Sequence, residues 1–180
     1  MIKNIFVIQE GRGLSAVAEV EISDKDLKDI LKVDASSLID LNRAKNHLGT
    51  LRGNLIRGAN CHASNIVSGI FLATGQDLGQ IGTSSQSIID IDYNQDRTGI
   101  VMTNTMPCIE IGTIGGGTQL PDQKACLDIM GIKVNKDRPR DSVDKLAGTI
   151  MGTIMAGEIS LLSAMVNSEL VSSHMKYNRR

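Results

Sequence analysis

The sequence has no tryptophan, two tyrosines and two phenylalanines, so aromatics make up 2% of its 180 residues. That argues against the base-stacking platforms that hold single-stranded nucleic acid, because they need aromatic faces. An excess of either charge is also missing: 19 basic side chains against 20 acidic ones leave a net charge of -1. No electrostatic grip on nucleic acid or on an acidic membrane follows from that balance. Cys61, Cys108 and Cys126 are an odd, widely spaced set, neither a disulfide framework nor a zinc pattern. They read as reduced thiols in a cytosolic setting. There is no HExxH or CxxC, so no metal site is expected, and no GxSxG elbow. The opening run IKNIFVIQEGRG is too short to span a bilayer and lacks the form of a signal peptide. It starts inside a hydrophobic pattern, without a cap or a polar arm, which predicts a domain that begins before Met1.

What is present is aliphatic. Ile, Leu, Val, Ala and eight Met supply most of the 41% hydrophobic content, and there are 18 glycines. The length suits one domain with a real core. Ile5–Ile8 reads as a strand, Glu10–Gly13 as a turn and Ala16–Ile22 as the alternating second arm of a hairpin. Asp24–Lys32 has helical spacing with Ser23 as its N-cap, and Ala35–Leu48 reads as another helix. Gly49–Gly58 is irregular. Asn60–Thr74 is amphipathic through Ile66, Val67, Ile70 and Phe71, with Gly75 as its terminating glycine. Ser87–Ile91 and Gly99–Thr105 are two strands joined by a polar turn. Asp122–Met130 is a short helix with Pro121 at its entrance. Ser142–Asn167 is the longest helical pattern and is apolar or small on nearly every face, which predicts a buried central helix. Glu158 and the polar residues 142–145 argue against a membrane span there. The fold class is α+β: a buried central helix surrounded by helices and a small, mostly antiparallel sheet.

The stretch Pro107–Thr118, PCIEIGTIGGGT, alternates and then breaks into Gly115-Gly116-Gly117. It reads as a third strand of that sheet ending in a glycine turn. Three glycines permit positive φ and the close approach of a phosphate, a cofactor or another backbone. Neither the GxGxxG nor the Walker spacing is met. The chemistry-bearing candidates are Lys45, His62, Asn65, Asp77 and His174, with His62 and Asn65 on one helix face. Each has an ordinary structural explanation: a solvated lysine, a satisfied helical histidine, an aspartate in a turn. An aspartate after a helix C-terminus is disfavoured by the helix dipole, so Asp77 calls for a further reason.

Together EGRG (10–13), NCHASNIV (60–67), GQD (75–77), PCIEIGTIGGGT (107–118), MAGEISL (155–161) and SHMKYNR (173–179) give the chain a resemblance to the 3-hydroxy-3-methylglutaryl-CoA reductases. It covers almost the whole length and lies in the C-terminal part of the family's large, substrate-binding domain. The resemblance implies NADPH-dependent reduction of an acyl-CoA thioester to mevalonate and free coenzyme A. That reaction belongs to the mevalonate route to isoprenoids and sterols and runs through a mevaldyl-CoA hemithioacetal and mevaldehyde. It implies catalytic roles for Asp77, in a network with a lysine and a glutamate, and for His174, which protonates the departing thiolate. Substrate-binding roles fall to Lys45, His62, Asn65, Leu161, Ala164 and Met165, and contacts with NADPH to Ile114, Gly115, Gly116, Thr118, Asn178 and Arg179. It also implies homodimers or tetramers with shared sites. The chain would face the cytosol without touching a membrane, while many eukaryotic members are anchored in the endoplasmic reticulum.

Some positions depart from the family pattern. The catalytic lysine falls where Met1 stands, and Lys3 is two residues too late, roughly 7 Å along an extended chain. The catalytic glutamate and the small NADPH-binding domain have no counterpart in these 180 residues. Arg52 and Arg57 interrupt a run where the family prefers small residues. Ser172 and Tyr177 stand where a basic residue and a histidine are usual. Two readings follow: the C-terminal part of a reductase whose function belongs to a longer polypeptide, or a catalytically inactive short homologue acting as a binding or dimerising module. Neither expects this chain alone to turn over substrate.

Overall fold

The computed structural model describes residues 12–53, 58–134 and 137–167. The expected strand at 5–8 lies outside them, as do Lys3, Arg57, Ser172, His174, Tyr177, Asn178 and Arg179.

Strand β1 (Leu14–Ser23) runs into the short helix α1 (Asp24–Asp26), continued by a π-helical turn over Leu27–Leu31. Ser23 caps α1 as expected: its Oγ accepts the Asp26 N–H at 3.1 Å. Helix α2 (Ala35–Asn42) continues through a π-helical turn (Arg43–Leu48) into α3 (Gly49–Arg52), so helix reaches four residues into the stretch expected to be irregular. Next come α4 (Ala63–Thr74), a 3-10 turn at Leu78–Gln80, α5 (Ile81–Ser84), β2 (Ile88–Tyr93) and β3 (Gly99–Ile109). A 3-10 turn at Gly116–Gln119 precedes α6 (Pro121–Ile129), and α7 (Pro139–Val166) is the last described element.

The three strands form one antiparallel sheet of order β1-β3-β2. The hairpin β2–β3 matches the alternation read from the sequence. The third strand does not: it is β1, whereas Pro107–Ile109 is the end of β3 itself. A proline is unexpected in a central strand because it cannot donate to the ladder. Here the register explains it. Leu14 pairs with Ile109 and Ala16 with Met106, so β3 carries one extra residue between those pairs. Pairing with β2 already ends at Thr105. Pro107 therefore sits in a bulge, where no ladder bond is asked of it.

Helix α7 is the hub, in contact with α2, α4, β1 and β3. Its Leu146, Ile150, Ile154 and Leu162 are fully buried in a core shared with Phe71, Val67, Ile89 and Met102. Each such side chain contributes about 1.5–3 kcal/mol on burial. The burial is one-sided. Gly148, Gly152, Ala156 and Ser160, four apart, form an exposed stripe of small residues. By length and composition alone α7 passes as a membrane span. Its Leu146, Ile150, Met151, Ile154, Met155 and Leu162 are nonetheless committed to this core, and Glu158 is buried in it.

Candidate active site

Two groups of expected site residues lie at opposite ends of α4. The first is at its C-terminus. Gly75 takes a left-handed conformation (φ 69°) and its N–H closes on the Phe71 carbonyl. Its backbone packs directly on that of Gly117: a Cβ on Gly75 would lie 2.5 Å from the Gly117 oxygen, and one on Gly117 would lie 2.6 Å from the Gly75 oxygen. Gln76 adds a second tie. Its Nε2 donates to the Gly112 carbonyl and its Oε1 accepts the Gly112 N–H, both at 2.9 Å. GQD and the glycine turn are thus held as one unit. Asp77 follows, exposed, its Oδ1 accepting the Gly79 N–H at 2.9 Å. That cap is why an aspartate is tolerated just past a helix end: it opens the next turn.

Asp77 stands at a cleft of about 990 Å³ lined also by Arg12, Glu110, Gly115, Gly116 and Thr118. Glu110, whose side chain is 8% exposed, pairs with Arg12 Nε at 3.1 Å and accepts from Thr83 Oγ1 at 2.8 Å. Its own N–H donates to Ser84 Oγ at 2.9 Å. Among the described residues this ion pair joins the EGRG motif to PCIEIG. The alternatives left open for the three glycines divide between them. Gly117 receives another backbone. Gly115 (φ 78°, ψ -177°) and Gly116 (φ 53°) have positive φ and nothing within 4 Å of an added Cβ. The Gly115 combination is close to glycine-only, and the left-handed φ of Gly116 favours glycine. Thr118 fixes the turn by donating from Oγ1 to the Gly115 carbonyl at 2.6 Å, and Ile114 is exposed beside it. An open glycine wall facing a cleft leaves room for the close backbone approach that a nucleotide would need.

The second group is at the N-terminus of α4. Lys45, half-buried on the π-helical turn after α2, lies beside the Cys61 sulfur. Cys61 Sγ donates to Asn46 Oδ1 at 3.4 Å, and Asn46 in turn donates to Asn42 at 2.8 Å, both asparagines being buried. Glu158, fully buried on α7, accepts the Cys61 N–H at 2.7 Å and the His62 N–H at 2.8 Å. The His62 ring lies over Gly157, and its Nε2 is buried without a partner among the described residues. Asn65 is exposed, its N–H bonded to the His62 carbonyl at 2.9 Å. Leu161, Ala164 and Met165 are half-buried on α7. At three to four residues apart, they continue the helix face that starts at Glu158.

Helix α4 has 12 residues and is therefore about 18 Å long. Asp77, just past one end, and His62, at the other, are separated by about that length within one chain. Sequence reasoning gave no role to Arg12, Gln76, Glu110 or Glu158. All four sit inside the quoted motifs, and their signal was a charged or amide side chain in an otherwise apolar or glycine-rich run.

The profile of the hydroxymethylglutaryl-coenzyme A reductase family matches residues 2–179. The chain belongs to this family. It is 48% identical over 171 residues to 3-hydroxy-3-methylglutaryl-coenzyme A reductase 1 of Dictyostelium discoideum, a match covering 94% of this chain and 31% of that protein. The reductase of Zea mays is 47% identical over 171 residues, again 94% of this chain and 30% of the relative. That of Drosophila melanogaster is 45% identical over 172 residues, and the match spans 19% of its length. The chain thus spans less than a third of these reductases.

The thiol of Cys61 is pushed above its ordinary value of 9.0, first by burial and then by the negative charge of Glu158, against the opposing pull of Lys45. A raised thiol stabilises the folded protein fully below the unfolded pKa, and that contribution is lost as pH rises through the folded value. Urea midpoints measured from pH 8 to 10 are expected to fall more for the native protein than for Cys61→Ala. Parallel curves would remove Cys61 as a source of alkaline instability.

Proposed function

We propose that, at its natural length, the protein reduces 3-hydroxy-3-methylglutaryl-CoA with NADPH to mevalonate and coenzyme A. Residues 1–180 form the C-terminal portion of its substrate-binding domain. The observation that carries this reading is the pairing of Asp77 with the open Gly115–Gly116 turn in one cleft, locked by Gly75–Gly117 contact. The length of α4 that separates Asp77 from His62, about 18 Å, supports a second element of the reading: two copies of the chain complete one site, as homodimers or tetramers. In it, Lys45 pairs with the free carboxylate of the substrate, flanked by His62 and Asn65. Leu161, Ala164 and Met165 offer the apolar surface beside it. Asp77 favours the charged form of the catalytic lysine, which stabilises the oxyanion that develops as the thioester carbonyl is reduced. His174 gives the proton to the coenzyme A thiolate, the general-acid role that histidine fills most often. Ile114, Gly115, Gly116, Thr118, Asn178 and Arg179 hold the nicotinamide nucleotide, which supplies the hydrides. The protein faces the cytosol, with anchoring at the endoplasmic reticulum part of the same proposal.

The test is NADPH oxidation dependent on the acyl-CoA, using purified protein of natural length. Lys45→Ala is expected to raise KM for the acyl-CoA at least ~10-fold while kcat changes less, because a charge pair with the bound substrate is lost in ground and transition state alike. No acyl-CoA-dependent oxidation by well-folded protein would overturn the reading in favour of an inactive binding or dimerising module.

A further inference from the structure

Glu158 has no exposed surface, and the roles assigned above do not use it. A carboxyl group in a core is strongly unfavourable unless its oxygens are bonded. Both are: Oε2 takes the Cys61 N–H at 2.7 Å and Oε1 the His62 N–H at 2.8 Å. The next amide, Ala63, donates to Asn60 Oδ1 at 3.1 Å. Three consecutive N–H groups at the entrance of α4 are therefore satisfied by side chains, two of them by a residue some hundred positions on. Apolar contact already closes α7 against α4 through Leu146, Ile150, Ile154 and Phe71. The carboxyl group adds what apolar contact cannot, a fixed orientation of two successive peptide units. That orientation sets where two side chains go. The Cys61 sulfur meets Asn46 at 3.4 Å and lies beside Lys45. The His62 ring is laid over Gly157, where an added Cβ would come 3.1 Å from its Cε1. Leu161 follows Glu158 by one helical turn on the same face.

We propose that Glu158 is a positioning residue of the acyl-CoA pocket: by bridging the amides of Cys61 and His62 it sets the placement of the His62 ring and of the Cys61 sulfur against Lys45, and so governs affinity for the acyl-CoA rather than for the nicotinamide nucleotide. The identity of the ligand rests on the reductase reading. The bridge itself does not.

Glu158→Gln keeps the shape but turns an amide NH2 toward backbone N–H groups, so one of the two amides loses its acceptor. In protein of natural length, hydrogen exchange across residues 58–66 is expected to quicken at least ~10-fold at Cys61 and His62 with the interior of α4 unchanged. KM for the acyl-CoA is expected to rise ~10-fold, with KM for NADPH and kcat within about three-fold. Glu158→Asp, able to reach one amide only, should fall between. Calorimetric titration with the acyl-CoA reads the same loss of affinity without turnover. Unchanged exchange in folded Glu158→Gln would overturn the bridge. Faster exchange with unchanged acyl-CoA affinity, or equal shifts for both substrates, would overturn the positioning role. If neither variant folds, Glu158 is a folding element and the proposal falls. If the native protein neither turns over nor binds the acyl-CoA, the reductase reading fails, while the exchange comparison still decides the bridge.

Discussion

Gly75→Ala is expected to be strongly damaging for so conservative a change, costing more than ~3 kcal/mol. Two effects add. An alanine at φ 69° adopts a left-handed conformation, which costs roughly 1–2 kcal/mol. Its methyl group would also sit 2.5 Å from the Gly117 oxygen, a backbone atom and not a flexible side-chain end. The loop cannot easily yield, because Gln76 grips Gly112 through two hydrogen bonds at 2.9 Å and Thr118 ties back to Gly115. A loss of this size lowers the melting temperature by roughly 6–12 °C in a chain of this length. Gly115→Ala provides the contrast. It has positive φ but open space around an added Cβ, so only the conformational cost applies, and under the proposed function the damage falls on nucleotide binding. Thermal unfolding of the two variants side by side is the measurement. Equal melting temperatures would mean that the Gly75–Gly117 contact does not join the two motifs.

Asp77→Asn should show the opposite profile. The side chain is exposed and its Oδ1 caps the turn at Gly79, a task the asparagine oxygen performs equally well. The turn that follows α4 should therefore survive the substitution. What asparagine cannot supply is the negative charge that the proposed function places beside a catalytic lysine. In protein of natural length turnover should fall ~100-fold or more, the scale of losing one electrostatic stabiliser from a transition state. Steady-state rates beside a melting curve separate the two quantities. Retained turnover in a folded variant would remove Asp77 from the catalytic network and leave it as a helix-end cap.

Much of the secondary structure was legible. The two runs Ser87–Ile91 and Gly99–Thr105 gave the β2–β3 hairpin, because period two survives wherever one sheet face is buried. Gly75 after an amphipathic run gave the end of α4, since a left-handed C′ residue is a local demand. Ser23 gave the start of α1 for the same reason. The third strand was misread because Pro107 looks like a boundary. Its tolerance in β3 depends on a bulge opposite β1, a partner more than eighty residues earlier. The face of α7 left open was not legible either. Glycine and alanine are compatible with burial and with exposure, and their spacing says nothing about what covers them.

The sequence by itself determined the family, the order of the elements and the residues able to carry charge or accept positive φ, because motifs, caps and periodicities are set by short-range sterics and hydrogen bonding. Only the tertiary structure decided which motif meets which. Arg12 joins Glu110, Gln76 clamps Gly112, Gly75 lies on Gly117, and Glu158 holds the amides before α4. Each pairing depends on long-range packing around α7, where buried polar groups are stable only with partners that the chain brings from far along its length.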